Sequence, residues 1–213
     1  MTGAVIFDRD GVLAEFDLEG VRQELGHLLP FGLEQLGTHL RDWAPRSGRR
    51  VTCATSERAF WNAFWEELCD AHGLDADARA GLLRFEPCRT LRLFADARPA
   101  IERARRQGYR VGVLSNFALF DLPGSLAWLG LTPLLDAALS AAMLGASKPA
   151  PETYLAMARA LGQRPEDCLF VDDRPDCVEG ARRVGMRAWL LDRAGKRPGG
   201  EGVMRDLTAL LAD

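Results

Sequence analysis

Four short groups of polar residues combine carboxylates, a hydroxyl, an amide and an amine in a pattern that suits phosphate chemistry. They are, in chain order, Asp8-Arg9-Asp10-Gly11, Ser115-Asn116, Ser147-Lys148-Pro149 and Asp172-Asp173. Carboxylates gathered at one place repel one another, so they must share protons or bind a cation. Oxygen ligands select a hard ion such as Mg²⁺, which favours a few carboxylates and a substrate phosphate. A lysine and a hydroxyl beside that ion, with one carboxylate free to attack, predict a phosphoryl-transfer site.

Buried strands are predicted to bring these groups together. Short apolar runs typical of parallel strands are Ala4 to Phe7, Arg110 to Leu114, Cys168 to Val171 and Arg187 to Leu191. Helical patterns with proline near the start and glycine at the end lie around Pro99 to Gly108, Pro151 to Gly162 and Pro175 to Gly185. This alternation predicts an α/β fold with a doubly wound, Rossmann-like parallel sheet. Ligands bind at the carboxyl edge of such a sheet, so the four groups should converge there.

The segment from Ala14 to Leu91 has a different character. It contains helix-like stretches but no convincing strand, and the stretches are Leu18 to Trp43, Ser56 to His72 and Asp75 to Phe85. The segment is predicted to be a helical insertion after the first strand. Two pieces rich in proline, glycine and arginine, Ala44 to Arg50 and Gly195 to Gly202, are predicted to be loops.

Aromatic side chains recur at helical spacing inside this insertion. They are Phe60, Trp61, Phe64 and Trp65, followed by Leu68. They can form either an aromatic wall over a substrate or the packed core of the insertion. Packing is the preferred interpretation of such a stripe.

In their order and in their place at the strand ends, the four groups resemble the four motifs of the haloacid dehalogenase-like hydrolase superfamily. The motif segments are Val5 to Leu13, Val113 to Asn116, Ser147 to Pro149 and Phe170 to Asp173. The insertion after the first motif is similar to the helical cap of subfamily I, which lies between motifs one and two. The resemblance implies an α/β core of residues 1–13 and 92–213 and a helical cap of residues 14–91.

Carried over position by position, the resemblance implies a role for each residue of the motifs. Asp8 would be the nucleophile, and Asp10 the general acid that later activates water. The side chains of Asp8 and Asp173 and the backbone carbonyl of Asp10 would hold Mg²⁺, with Asp172 a direct or water-mediated ligand. Ser115 and the backbone N–H of Asn116 would bind the phosphoryl group, and Lys148 would balance its charge and that of Asp8. The implied activity is a phosphatase that acts on a small phosphomonoester through an aspartyl-phosphate.

One position departs from this family pattern. Where relatives often have Asp or Asn four residues after the second aspartate of motif four, this chain has Cys177. A thiol is a poor ligand for a hard cation, so the surroundings of the metal should differ, with Asp176 a partial substitute. The alternatives are a phosphomutase or a 2-haloacid dehalogenase on the same fold, or a member that binds a ligand without catalysis.

Composition restricts the partners. The chain has 213 residues and a formal net charge of -3, so it lacks the excess of basic residues that nucleic acid binding requires. Its five cysteines form no C-x-x-C pair, and no apolar stretch is long enough for a membrane span. These features predict a cytoplasmic protein with neither nucleic acid nor a membrane as partner. The family resemblance implies a small phosphorylated metabolite as the partner, and the assembly is expected to be a monomer or a homodimer.

Overall fold

A computed structural model describes residues 3–117 and 121–211 of the chain. The strands within those residues are β1 (Ala4–Phe7), β2 (Ala14–Phe16), β3 (Leu91–Leu93), β4 (Arg110–Ser115), β5 (Ala137–Ser140), β6 (Cys168–Asp172), β7 (Arg187–Leu191) and β8 (Val203–Met204). The helices are α1 (Leu18–Leu25), α2 (Leu33–Arg46), α3 (Ala54–His72), α4 (Ala76–Arg84), α5 (Ala97–Arg106), α6 (Leu122–Trp128), α7 (Ala141–Leu144), α8 (Pro151–Ala160) and α9 (Pro175–Arg183).

Six of the described strands form one parallel sheet in the order β5-β4-β1-β6-β7-β8. Strand β1 lies between β4 and β6, and Phe7 at its end is paired with Val113 and Val171. Every residue of β1 is buried, as its unbroken apolar sequence predicts. The predicted α/β fold with a doubly wound type of sheet is confirmed, and the chain leaves β1, β4 and β6 at the same edge.

Helices α8 and α9 pack on this sheet through a continuous apolar cluster. Tyr154 of α8 lies edge-on to Phe170 of β6, with ring centroids 5.3 Å apart, and Val178 of α9 belongs to the same buried cluster. An edge-to-face pair of this kind contributes about 0.5–1.5 kcal/mol beyond the area that it buries. The packing fixes the strand ends from which the polar residues project.

The structure differs from the sequence-based prediction at several places, among them strand β5, the two ends of the insertion and the end of helix α2. Strand β5 was not predicted, because its Ala-Ala-Leu-Ser sequence has little β propensity, and its pairing with β4 stabilises it instead. The predicted all-helical insertion has strand β2 at its start and β3 at its end, and these two pair. Helix α2 continues through Pro45 to Arg46, into a predicted loop, since a proline in the last turn removes only one helical hydrogen bond.

The described residues divide into two compact units. One consists of residues 3–15, 92–117 and 126–211, and the other of residues 16–91 and 121–125. We call the first the core unit and the second the helical unit. The domain boundaries predicted from the sequence, with a cap of residues 14–91, stay a prediction.

The helical unit has an aromatic core. The side chains of the predicted stripe are all buried, and they are Phe60, Trp61, Phe64, Trp65 and Leu68. Trp43 of α2 meets Phe60 and Phe64 with ring centroids 5.1 and 5.3 Å away. The preferred interpretation of the stripe as packing is confirmed. Across residues 3–117 and 121–211, we find no helix with the length and apolar character needed to span a membrane.

Candidate active site

The ammonium group of Lys148 lies between two aspartates at the carboxyl edge of the sheet. Its Nζ is 2.9 Å from Oδ1 of Asp8 and 2.7 Å from Oδ2 of Asp172. Asp8 follows β1 and Asp172 ends β6, so the sheet itself sets the separation of the two carboxylates. Lys148 is only 3% exposed and Asp172 is fully buried. The electrostatic attraction in ion pairs this short and this deeply buried is strong, because little water screens the charges.

The loop that carries Lys148 is held by the side chain of Asn116. The amide oxygen of Asn116 accepts a hydrogen bond from the backbone N–H of Lys148, and its amide nitrogen donates to the Lys148 carbonyl, both at 2.8 Å. This pair of bonds connects the end of β4 to the loop before α8. Sequence analysis gave Asn116 a role only through its backbone, and its side chain has the additional structural role of fixing Lys148.

Three carboxylates lie close enough to share a cation. One oxygen from each of Asp8, Asp172 and Asp173 lies within 4.8 Å of the others. Gly11 adjoins the set with φ +76°, and a Cβ atom there would come within 2.3 Å of Oδ2 of Asp173. The turn therefore requires glycine at position 11 for two reasons. Its backbone angle disfavours other residues, and a side chain there would clash with Asp173. An all-oxygen set of this kind can hold a hard divalent cation, so the residues fit the predicted metal.

Burial and nearby charges shift the pKa values of Asp172, Asp173 and Lys148. Burial, together with the Asp8 carboxylate, raises the pKa of Asp172 and of Asp173. For Lys148, burial alone would lower the pKa, but the carboxylates of Asp8 and Asp172 outweigh it and the pKa is raised. The lysine is therefore held in its charged form, and the carboxylates carry a repulsion that a cation would relieve.

The carboxyl group of Asp10 faces a different set of partners. Nε and Nη2 of Arg9 donate to its two oxygens at 3.1 and 3.0 Å, and the hydroxyl of Ser115 lies 3.4 Å from Oδ2. Burial raises the pKa of Asp10, Arg9 opposes the rise, and the Asp8 carboxylate adds to it. The sequence did not point to Arg9 as part of the site, since a charged residue after a buried strand is normally expected at the surface.

Ser115 ends β4 with its side chain buried beside Asp10. Its Oγ accepts a hydrogen bond from the backbone N–H of Phe117 at 3.1 Å. All the predicted site residues lie in the core unit, and the contacts above connect Asp8, Asp10, Ser115, Asn116, Lys148, Asp172 and Asp173. The sequence therefore predicted which side chains would be brought together.

The departure at Cys177 has a structural counterpart. Its side chain is buried in the first turns of α9, and burial together with Asp172 raises the pKa of the thiol to about 12. Asp176 is exposed and forms a fork with the guanidinium of Arg174. In the part of the chain that the structure describes, neither residue belongs to the carboxylate cluster, so Asp176 does not substitute for a metal ligand.

Comparison with known proteins agrees with this geometry. The model of the haloacid dehalogenase-like hydrolase family matches residues 2–185. Phosphatase MT3486 of Mycobacterium tuberculosis is 40% identical over 97% of this chain and 94% of its own. A phosphatase of the same family from Thermococcus onnurineus has a TM-score of 0.63 at 25% identity, covering 96% of this chain and 94% of that one.

A further solved structure is similar in fold alone. The L-2-haloacid dehalogenase of Xanthobacter autotrophicus has a TM-score of 0.64 at 23% identity, covering 97% of this chain and 96% of that one. Together, the parallel sheet, the acidic site at its edge and the matching family model define a hydrolase with an α/β core. The chain belongs to the haloacid dehalogenase-like hydrolase family.

Proposed function

We propose that this protein is a Mg²⁺-dependent phosphatase that hydrolyses a small phosphomonoester through an aspartyl-phosphate on Asp8. The observation that carries the proposal is the position of Lys148, whose Nζ is 2.9 Å from Asp8 and 2.7 Å from Asp172. A buried ammonium at this distance offers positive charge both to the attacking Asp8 carboxyl group and to an incoming phosphoryl group. The 40% identity to a phosphatase over 97% of this chain supports the same activity.

In the first step, an oxygen of Asp8 attacks phosphorus and forms a P–O bond. The bond between phosphorus and the leaving oxygen breaks, and Asp10 transfers a proton to that oxygen, so that the alcohol departs neutral. The raised pKa of Asp10 supports this role, since a general acid must arrive protonated. Ser115 and the backbone N–H of Asn116 bind the phosphoryl oxygens and fix their orientation.

In the second step, Asp10 is ionised and accepts a proton from water while the water oxygen attacks phosphorus. The bond between phosphorus and Asp8 breaks, and inorganic phosphate leaves. Asp8, Asp173 and the carbonyl of Asp10 would hold Mg²⁺, with Asp172 as a further ligand, and the ion, when bound, supplies charge that offsets the phosphoryl oxygens. We further propose a small phosphorylated metabolite as the partner, in the cytoplasm, with a monomer or homodimer as the assembly.

Release of phosphate from 4-nitrophenyl phosphate tests the proposal. We expect Mg²⁺-dependent turnover that falls at least about 10⁴-fold in Asp8→Asn, because the nucleophile is lost. Asp176→Asn is the matched control, since Asp176 is exposed and pairs with Arg174 outside the cluster. Acid quenching of the wild type should trap one phosphoryl group per chain, detected by intact mass.

Other outcomes would assign a different activity. Full turnover in Asp8→Asn would exclude Asp8 as the nucleophile. Halide release from a 2-haloacid without metal would indicate a dehalogenase. Transfer of the trapped phosphoryl group to a second substrate hydroxyl, without free phosphate, would indicate a mutase.

A further inference from the structure

Arg9 is a buried cation next to the proposed general acid. Among residues 3–117 and 121–211, the buried cationic side chains are Arg9 and Lys148, and Arg9 is fully buried. Removing a guanidinium from water carries a large free-energy penalty unless the group is paired and hydrogen-bonded. An apolar residue would fill the same volume without that penalty, so the charge at this position needs a reason.

Two side-chain hydrogen bonds of Arg9 are directed at the carboxyl group of Asp10. Nε donates to Oδ1 of Asp10 at 3.1 Å and Nη2 donates to Oδ2 at 3.0 Å. The guanidinium carbon lies 5.2 Å from the centroid of the Phe117 ring, so an aromatic face covers one side of the plane. A two-point fork onto both oxygens fixes the plane of the carboxyl group as well as its distance, which the point charge of a lysine does not do.

The fork holds Asp10 where the reaction needs it. Oδ2 of Asp10 lies 3.4 Å from the hydroxyl of Ser115, the residue proposed to bind the phosphoryl group. The Asp10 side chain is 27% exposed while that of Arg9 is 1% exposed. Arg9 therefore contacts the carboxyl group from the protein interior, and part of the carboxyl group stays accessible. A carboxylate has about four acceptor positions, and the fork uses two of them.

We propose that Arg9 is a positioning residue of phosphoryl transfer, which holds the carboxyl group of Asp10 in line with the leaving oxygen. The inference rests on the proposed function. In this role Arg9 acts on the reaction through Asp10 and not by contact with substrate. Without the fork, Asp10 rotates among several positions, and the proton reaches the leaving oxygen from fewer of them.

Leaving groups of different acidity test this role. The chosen measure is kcat/KM for a series of aryl phosphates, because it reports the step in which the P–O bond to the phenol breaks. A strongly acidic phenol departs without a proton, whereas a weakly acidic one needs Asp10. Arg9→Met removes the fork at similar volume, and Arg9→Lys keeps the charge without the fork.

In Arg9→Met, we expect kcat/KM to fall about 10–100-fold for phenyl phosphate and less than about 3-fold for 2,4-dinitrophenyl phosphate. Arg9→Lys should behave like Arg9→Met, because charge alone does not orient the carboxyl group. Asp10→Asn is the reference and should show the same selective loss to a greater extent. Arg164→Met removes an exposed salt bridge with Asp167 before the start of β6, whereas Asp172 lies at the other end of that strand. It is the control and should match the wild type for both substrates.

Equal losses for both substrates in Arg9→Met, or no loss, would overturn the inference. Arg9→Lys with wild-type selectivity would also overturn it. Melting temperatures of the variants separate a folding defect from a positioning defect, since a folding defect lowers kcat/KM for both substrates equally. Failure of the proposed function would be recognised by a different result. Turnover would then survive in Asp8→Asn, whatever the result at Arg9.

Discussion

At the scale of single residues, the charges around Lys148 depend on one another. Lys148 is almost fully buried and contacts Asp8 and Asp172 at 2.9 and 2.7 Å. Removing one member of a buried ion pair leaves an uncompensated charge, which destabilises a protein far more than the pair itself stabilises it. The same side chain therefore matters for stability and for the proposed chemistry, and the two effects can be separated.

We expect Lys148→Met to lower the free energy of unfolding by about 3–5 kcal/mol in the presence of a chelator, because Asp8 and Asp172 then lie unpaired in a buried position. The double variant Lys148→Met/Asp172→Asn should recover most of that stability, since one of the two charges is gone. Phosphatase activity should stay lost in both variants. Urea unfolding and phosphate release measure the two effects, and a Lys148→Met protein as stable as the wild type would contradict the prediction.

The convergence of the candidate site residues was predictable from sequence, but the environment of Arg9 beside them was not. Asp8 and Asp172 follow apolar runs, and a parallel sheet brings such strand ends to one edge. Arg9 lies between two predicted site residues and carries a charge, so its residue type predicts exposure. One of its neighbours is Phe117, which is distant in sequence, so that contact exists only after folding.

At the scale of elements, the strands differ in how far their own sequence determines them. Strand β1 is an unbroken apolar run, Ala-Val-Ile-Phe, and pairs on both sides, so sequence and position agree. Strand β5 has two alanines and a serine among its four residues, and its conformation follows from pairing with β4. Local preference predicts strands that are apolar by themselves and misses those that depend on a neighbour.

A second charged group connects several elements of the core unit. Asp96, just before α5, accepts hydrogen bonds from both terminal nitrogens of Arg193, at 2.9 and 2.8 Å, and from the backbone N–H of Leu207 at 2.8 Å. Arg193 also donates to the carbonyl of Val12 at 2.7 Å and lies over the ring of Phe94. The Asp96–Arg193 ion pair therefore joins the turn after β1, the start of α5 and the chain beyond β7.

We expect Asp96→Asn to lower the free energy of unfolding at neutral pH by about 1–3 kcal/mol, because the fork loses its charge. Burial alone would raise the pKa of Asp96, but Arg193 and the Leu207 N–H outweigh it and hold the pKa below its usual value of 3.8. A lowered pKa in the folded state means that the stabilisation is complete above the unfolded pKa and is lost as the pH falls through the folded one.

The difference between wild type and Asp96→Asn should therefore be constant from pH 7 to about pH 5 and shrink below about pH 4. Urea unfolding at a series of pH values measures it. Asp70→Asn is the control, because Asp70 has a largely exposed side chain that pairs with Arg79 at the surface. A difference that grows as the pH falls would have the wrong sign and would contradict the assignment.

At the scale of the whole molecule, the contacts that form the candidate site belong to one unit. Asp8, Asp10, Ser115, Lys148 and Asp172 all lie in the core unit. The chain leaves this unit after residue 15 and returns at residue 92, and the backbone N–H of Asp17 donates to the carbonyl of Thr90 at 2.7 Å. The two crossing points are thus close enough for a short connection to replace everything between them.

We expect a variant in which a short Gly-Ser linker replaces residues 16–91 to fold and to bind Mg²⁺ within about 10-fold of the wild-type affinity, because no carboxylate of the cluster is removed. Residues 121–125 would lose a partner, since the backbone N–H of Asp121 donates to Glu57 at 2.6 Å. Glu57→Gln in the full-length chain measures that loss separately. Circular dichroism and calorimetric Mg²⁺ titration check the prediction, and a folded variant without Mg²⁺ affinity would show that the helical unit is needed to form the metal site.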